Sequence, residues 1–282
     1  MILVAGGQGD PSMAVLVDRM ARRGTGHLNL LLGSDRDFDL RIDLQSNSLS
    51  IDGRVIRPGG CFIRHDVFLY DTPDPAAAHS RALNWYQAIR GWCAAQPGIR
   101  LFNRQSIMRE NNKIENLLAA RQIGLAVPHT LVTNDFSDLR HDDSLIQKPV
   151  AGGEYTALLR DLPADSRCPR FVQPRLNRPE MRVYRIGDAV MGFRLTSPDL
   201  DYRLAQTATL TTAPVPADLA DLLVQLCDRL NLDFAAADFM TGDSGEPLFL
   251  ELNSQPMFAA FDRTAEGRLS DAIIDYLEQR GA

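Results

Sequence analysis

The chain has 282 residues, of which 45% are hydrophobic and 23% charged. This is ordinary for a soluble globular protein, with length enough for two or three sub-domains. A net charge of −6 leaves no excess of Lys and Arg to neutralise phosphates along a polymer, which argues against nucleic acid as a partner while leaving room for a local basic pocket. The four cysteines (Cys61, Cys93, Cys168, Cys227) form no CxxC pair, so neither a disulfide framework nor a zinc site is expected. No apolar run reaches the length of a membrane span, and the start lacks the basic and apolar regions of a signal peptide. A cytoplasmic protein without a membrane partner is the expectation.

Residues 2–5 predict a first buried strand, followed by Gly6-Gly7-Gln8-Gly9 and an amphipathic helix over 13–23. A strand, a glycine turn and a helix suggest a Rossmann-like start. The acidic ribose partner of a dinucleotide site would fall near 27–32, and none is there, so the turn reads as a plain connection. His27–Leu32 predicts a second strand. Residues 41–44, 49–51 and 54–56 alternate polar and apolar around Asp52-Gly53, a hairpin signal. Phe62-Ile63 is a short buried strand that runs into Arg64-His65-Asp66. Those charges either line a cleft, with Arg64 binding substrate, or form a structural ion pair. Residues 76–95 have helical periodicity, and Leu101–Asn103 closes the first domain.

A second helix is expected from about Ser106, with Ile114, Leu117, Leu118 and Ile123 as its apolar stripe. It carries Lys113, and Lys113 and Lys148 are the only lysines in the chain. Val127–Val132 is extended. Lys148 ends a strand over 145–150, just before Gly152-Gly153. A lysine beside glycine-loop amides is a recurrent phosphate arrangement, although a solvated lysine at a turn reads equally well. Residues 171–176 are extended. Glu180–Leu195 forms two strands about Gly187-Asp188, with Arg182 and Arg194 expected to project into one site. Residues 217–230 form an amphipathic helix, 259–263 a loop, and 269–279 a final helix.

The two carboxylates that matter lie in the run 234–240, which contains Asp238, and in Phe249-Leu250-Glu251-Leu252-Asn253. The turn-rich stretch 241–247 joins them as a hairpin. Residues two apart share a strand face, so Glu251 and Asn253 emerge together and Asp238 can lie beside them. Such a group is either a pair of strand-end charges or an all-oxygen cation site suited to Mg²⁺. The histidines His65, His79, His129 and His141 read as structural or surface residues.

The order of these motifs, Lys113, Lys148-Pro149, Glu180-Met181-Arg182, Asp238 and Leu250-Glu251-Leu252-Asn253-Ser254-Gln255-Pro256, resembles the ATP-grasp superfamily over roughly residues 104–280. It is most similar to the glutathione-synthetase-like branch that includes the ribosomal-protein glutamate ligases and the graspetide (microviridin-type) macrocyclases. The resemblance implies an α/β fold with α+β lobes. A Rossmann-like pre-ATP-grasp domain (1–103) would be followed by a central lid subdomain (104–176) and an antiparallel-sheet subdomain with the metal site (177–282). It implies that Lys113, Lys148, Gly152 and Gly153 bind the ATP phosphates. Gln173, Arg175 and Leu176 would form the hinge that reads adenine, and Glu180 would accept the ribose hydroxyls. Asp238, Glu251 and Asn253 would hold two Mg²⁺ ions, with Mn²⁺ as a substitute. Arg182 and Arg194 would stabilise the transferring phosphoryl group, and Arg203 a substrate carboxylate.

The implied activity is ATP-dependent ligation of a carboxylate to an amine or hydroxyl through an acyl-phosphate, with a small molecule or peptide as substrate. The alternatives are a non-catalytic ATP-binding regulator and a kinase acting on an alcohol. A homodimer is compatible with the fold. Two positions depart from the pattern. Pro174 stands where the hinge often has an acid, and the glycine loop is short, as in the macrocyclases.

Overall fold

A computed structural model describes residues 1–33, 38–68, 73–106, 112–151, 156–163, 165–197 and 209–279. The chain opens with β1 (Ile2–Gly7), α1 (Pro11–Arg23) and β2 (His27–Leu32). α1 begins where the Asp10 carboxylate accepts the Ser12 N–H at 2.7 Å, and it ends at Gly24 with φ +69°, a stop that suits a residue without a Cβ. An antiparallel hairpin unit follows, β3 (Leu40–Asp43), β4 (Ser48–Ile51) and β5 (Arg54–Ile56). Asp52 and Gly53 both have positive φ, 49° and 74°, as a two-residue hairpin turn requires. Then come β6 (Gly60–Ile63), α2 (Pro75–Ala94) and β7 (Arg100–Leu101). β2, β1, β6 and β7 form one parallel sheet in that order. β1 is buried and apolar almost throughout, as a strand with helices on both faces must be.

Next is α3 (Lys113–Gln122), whose first turn is capped by Asn112. Helix is thus absent at Ser106, where the sequence pattern placed its start. Its buried face also differs from expectation. Asn116, Leu117, Ala119 and Ala120 face inward, while Ile114 and Leu118 are 38% and 55% exposed.

A second sheet has the order β10-β9-β11-β8, built from β8 (Leu131–Thr133), β9 (Leu145–Pro149), β10 (Ala157–Leu158) and β11 (Arg170–Pro174). The third and largest is antiparallel, in the order β14-β13-β12-β15-β16. Its strands are β12 (Asn177–Ile186), β13 (Ala189–Thr196), β14 (Thr209–Ala213), β15 (Phe234–Thr241) and β16 (Pro247–Asn253), with α4 (Ala217–Arg229) inserted before β15. Two helices complete the chain, α5 (Ala259–Thr264) and α6 (Arg268–Glu278). The segment read as a loop over 259–263 is therefore helical. Six residues are too few to display a 3.6-residue period, so the pattern carries no signal.

The third sheet is buried on both faces. Val183, Ala235, Ala237 and Phe239 pack against α4 and α3. Tyr184, Phe193 and Phe234 pack with Phe258, Phe261 and Ile273 from α5 and α6, and with Met13, Leu16 and Phe62 of the first unit. Each fully buried large apolar side chain contributes roughly 1.5–3 kcal/mol. Arg23 binds Asp275 at 2.6 Å, fastening α1 to α6. Among the described residues no helix is long and apolar enough to cross a membrane.

Candidate active site

Antiparallel register assembles the site. Arg182 on β12 pairs with Asp238 on β15, which pairs with Glu251 on β16, so three charged side chains stand in one row on one sheet face. Glu180 lies two residues from Arg182 and Asn253 two from Glu251, which adds both to that face. Phe239, the residue after Asp238, points to the opposite, apolar face, and the register shift after Asp238 puts Phe249 there with it.

Arg182 donates to both Asp238 oxygens, at 2.5 and 2.6 Å, and its guanidinium lies 5.1 Å from the centre of the Phe261 ring. Burial pushes the Asp238 carboxyl above its ordinary pKa. Arg182 works against this, and the charge of Glu251 adds to it. Burial likewise drives Glu180 upward, and with the charge of Asp238 it brings that carboxyl to about 7, against the pull of Arg182 and Arg178. Arg178 donates to Glu180 at 2.9 Å.

The cations arrive from two other elements. Lys113, the first residue of α3, reaches Glu251 at 3.0 Å. Burial acts to raise the Glu251 pKa, but Lys113, helped by Lys148 and Asn253, holds it below the ordinary value. Lys148 comes from β9 of the second sheet. Burial lowers its pKa, and its charge interacts with Glu251, Lys113, Glu180 and Asp238. Asn253 spans the two carboxylates, its amide 3.4 Å from each.

Among the described residues no three His, Cys, Asp or Glu side chains are arranged to hold a metal. The site offers two carboxylates and an amide oxygen instead. These donors fit Mg²⁺, which keeps several water and phosphate oxygens in its shell. A carboxylate has about four lone-pair positions, so the fork of Arg182 leaves Asp238 able to ligate.

Other predicted residues lie elsewhere. Arg194 pairs with Met181 and is exposed, on the face away from Arg182, so the two arginines do not converge. One residue of register separates them, and one residue reverses the face. Arg64 is 5% exposed. It binds Asp10 at 2.7 Å and the Pro256 carbonyl at 2.7 Å, so this guanidinium is occupied by a structural ion pair. Gln173 on β11 is buried and donates to Thr130 Oγ1 at 2.8 Å. The main-chain N–H of Arg175 is taken by the Ser144 carbonyl, and Leu176 follows it between β11 and β12. Gly152, Gly153 and Arg203 fall outside the described residues.

Sequence reasoning missed several partners. Arg178 was legible, since it sits two residues before Glu180 on one strand. Asn103, which donates to the Ser254 carbonyl at 3.0 Å, and Gln255, which accepts the His65 N–H at 2.9 Å, were not, because both act over long sequence separations.

No protein-family model matches the sequence, and no curated protein matches it. Solved structures match it almost end to end. The ATP-grasp ligase PsnB complexed with minimal precursor is 24% identical, with a TM-score of 0.77, covering 98% of this chain and 99% of that one. PsnB complexed with a phosphomimetic variant of minimal precursor, Mg and ADP gives 25% identity and a TM-score of 0.73, covering 98% of each chain. The macrocyclase MdnC from Microcystis aeruginosa MRC, bound with precursor peptide MdnA, is 18% identical, with a TM-score of 0.73 over 99% of both chains. The chain therefore has the ATP-grasp fold, in the arrangement that PsnB and MdnC share.

Proposed function

We propose that this protein is an ATP-dependent ligase that activates a carboxylate of a peptide as an acyl-phosphate and joins it to an amine or hydroxyl. The observation that carries the reading is the meeting of Lys113, Lys148 and Arg182 with Asp238, Glu251 and Asn253 at one place, from three separate parts of the fold. Acids and lysines held together in this number, with Asp238 buried and the others half-buried, are suited to a polyphosphate and its cations. PsnB is seen with Mg, ADP and a precursor, and MdnC with a precursor peptide, which supports the same ligands here. We assign the chain three units, 1–103, 104–176 and 177–282, and place the reaction in the cytoplasm, where ATP is supplied.

In this reading Lys113 and Lys148 hold the phosphates. Glu180 accepts the ribose hydroxyls, and Gln173 with its neighbours flanks the adenine. Asp238, Glu251 and Asn253 would hold two Mg²⁺ ions, which would neutralise charge on the phosphates. The substrate carboxylate attacks the γ-phosphorus and ADP leaves. The amine or hydroxyl then attacks the acyl carbon and phosphate leaves. Arg182 is fixed by Asp238 and Phe261, so its charge needs no reorganisation as negative charge develops on the transferred group.

The test is incubation with ATP, Mg²⁺ and peptides containing both acidic and Thr or Lys side chains, with ADP release and product mass as readouts. Loss of one water per ring is the expected result. Gain of a residue would indicate ligation of a free amino acid. A phosphate adduct would indicate a kinase, and neither ADP nor a mass change with any acceptor would overturn the reading.

A further inference from the structure

Strand β16 is the edge of its sheet, so half of its peptide groups lack a strand partner. Two of these groups are met by the α3 region. The Phe249 N–H donates to the Ala126 carbonyl at 2.8 Å, and the Leu252 carbonyl accepts from Asn116 Nδ2 at 3.3 Å. Leu252 lies between Glu251 and Asn253. Asn116 is 7% exposed and one helical turn from Lys113, on the same side of α3, and Lys113 itself reaches Glu251.

We propose that Asn116 is a positioning residue: its bond to Leu252 fixes the height of Glu251 and Asn253 against Lys113, and so sets the geometry in which the cation and the phosphates are held. The inference rests on the ATP and Mg²⁺ reading. Asn116 touches neither ligand. It acts through the main chain of β16, the peptide of which it steadies between the two ligating side chains.

The test is calorimetric binding of ADP, with and without Mg²⁺, to the full chain well below each variant's melting transition. Asn116→Leu preserves size and does not weaken the helix, but removes the donor. The gain in ADP affinity that Mg²⁺ confers should fall about tenfold, as for other residues that orient metal ligands, while metal-free ADP binding changes much less. Asn116→Gln keeps a carboxamide and should recover part of that gain. If Asn116→Leu does not fold, Asn116→Ala, also without a donor, is read in the same way.

A folded Leu or Ala variant with a lowered Tm and the wild-type Mg²⁺ gain would overturn the proposal, because packing alone would then explain the residue. If the wild-type protein shows no Mg²⁺ gain, the ATP–Mg²⁺ reading itself falls, and this inference falls with it.

Discussion

Asp238 is nearly inaccessible, and both of its oxygens are held by Arg182. Removing only the arginine strands a buried carboxylate, and such losses run to about 3–5 kcal/mol. Arg182→Ala should therefore lower stability in urea by roughly that amount, and adding Asp238→Asn should restore part of it. Strict additivity of the two changes would show that the pair is not coupled. At the same scale, Glu251→Ala removes a proposed metal ligand and should abolish ADP formation. Lys148→Ala removes a proposed charge-assisted phosphate contact and should raise the KM for ATP at least tenfold; an unchanged KM would take Lys148 out of the site. The two lysines, Asp238 and Glu251-Leu252-Asn253 were legible because lysine is scarce and a strand has a period of two. Arg64 was not. An arginine ending a buried strand looks the same on paper whether it faces a ligand or, as here, Asp10 and Pro256.

Among the elements, α6 depends on two close approaches. A Cβ on Gly60 of β6 would stand 2.4 Å from the Leu277 carbonyl, so Gly60→Ala should push α6 away at a cost of about 1–3 kcal/mol, read as a lower Tm. On the other side α6 is tied to α1 through Asp271, which binds both Arg19 and Arg23. The hydrogen bond from Arg19 is the main cause of the lowered Asp271 pKa. A depressed carboxyl pKa stabilises the fold at pH above its unfolded value, and that contribution is lost as pH falls through the folded one. Asp271→Asn should therefore destabilise the protein at neutral pH and flatten the acid side of its Tm profile; parallel wild-type and variant profiles below about pH 4 would refute the linkage. Strands and hairpins were readable from alternation and Asp52-Gly53. α5 and the inner face of α3 were not, because a six-residue helix shows no period and polar Asn116 with the small Ala119 and Ala120 gives a weaker signal than Ile114 and Leu118.

Over the whole molecule, the sheets follow one another along the chain, but the packing between them does not. The core beneath β1 and α1 includes Phe258, Phe261, Leu269, Ile273 and Ile274, and residues 254–259 are held by groups from the first 103 residues. Asn103 binds the Ser254 carbonyl, Arg64 that of Pro256, and Ser12 the N–H groups of Phe258 and Ala259. Expressed alone, residues 1–103 should lack a cooperative thermal transition, and adding the remainder of the chain as a second polypeptide should restore it. A sharp transition in the isolated fragment would contradict this packing account. Periodicity reports which face of an element is apolar but not which distant element covers it, so this closure was invisible in the sequence.

The return of α5 and α6 to the first sheet also bears on synthesis. A ribosome makes β1 and α1 well before α5 and α6, whose residues share their core. Until α6 has emerged, the opening unit has an unfinished core. A chain released before α6 therefore carries an open core around Val4, Met13 and Leu16.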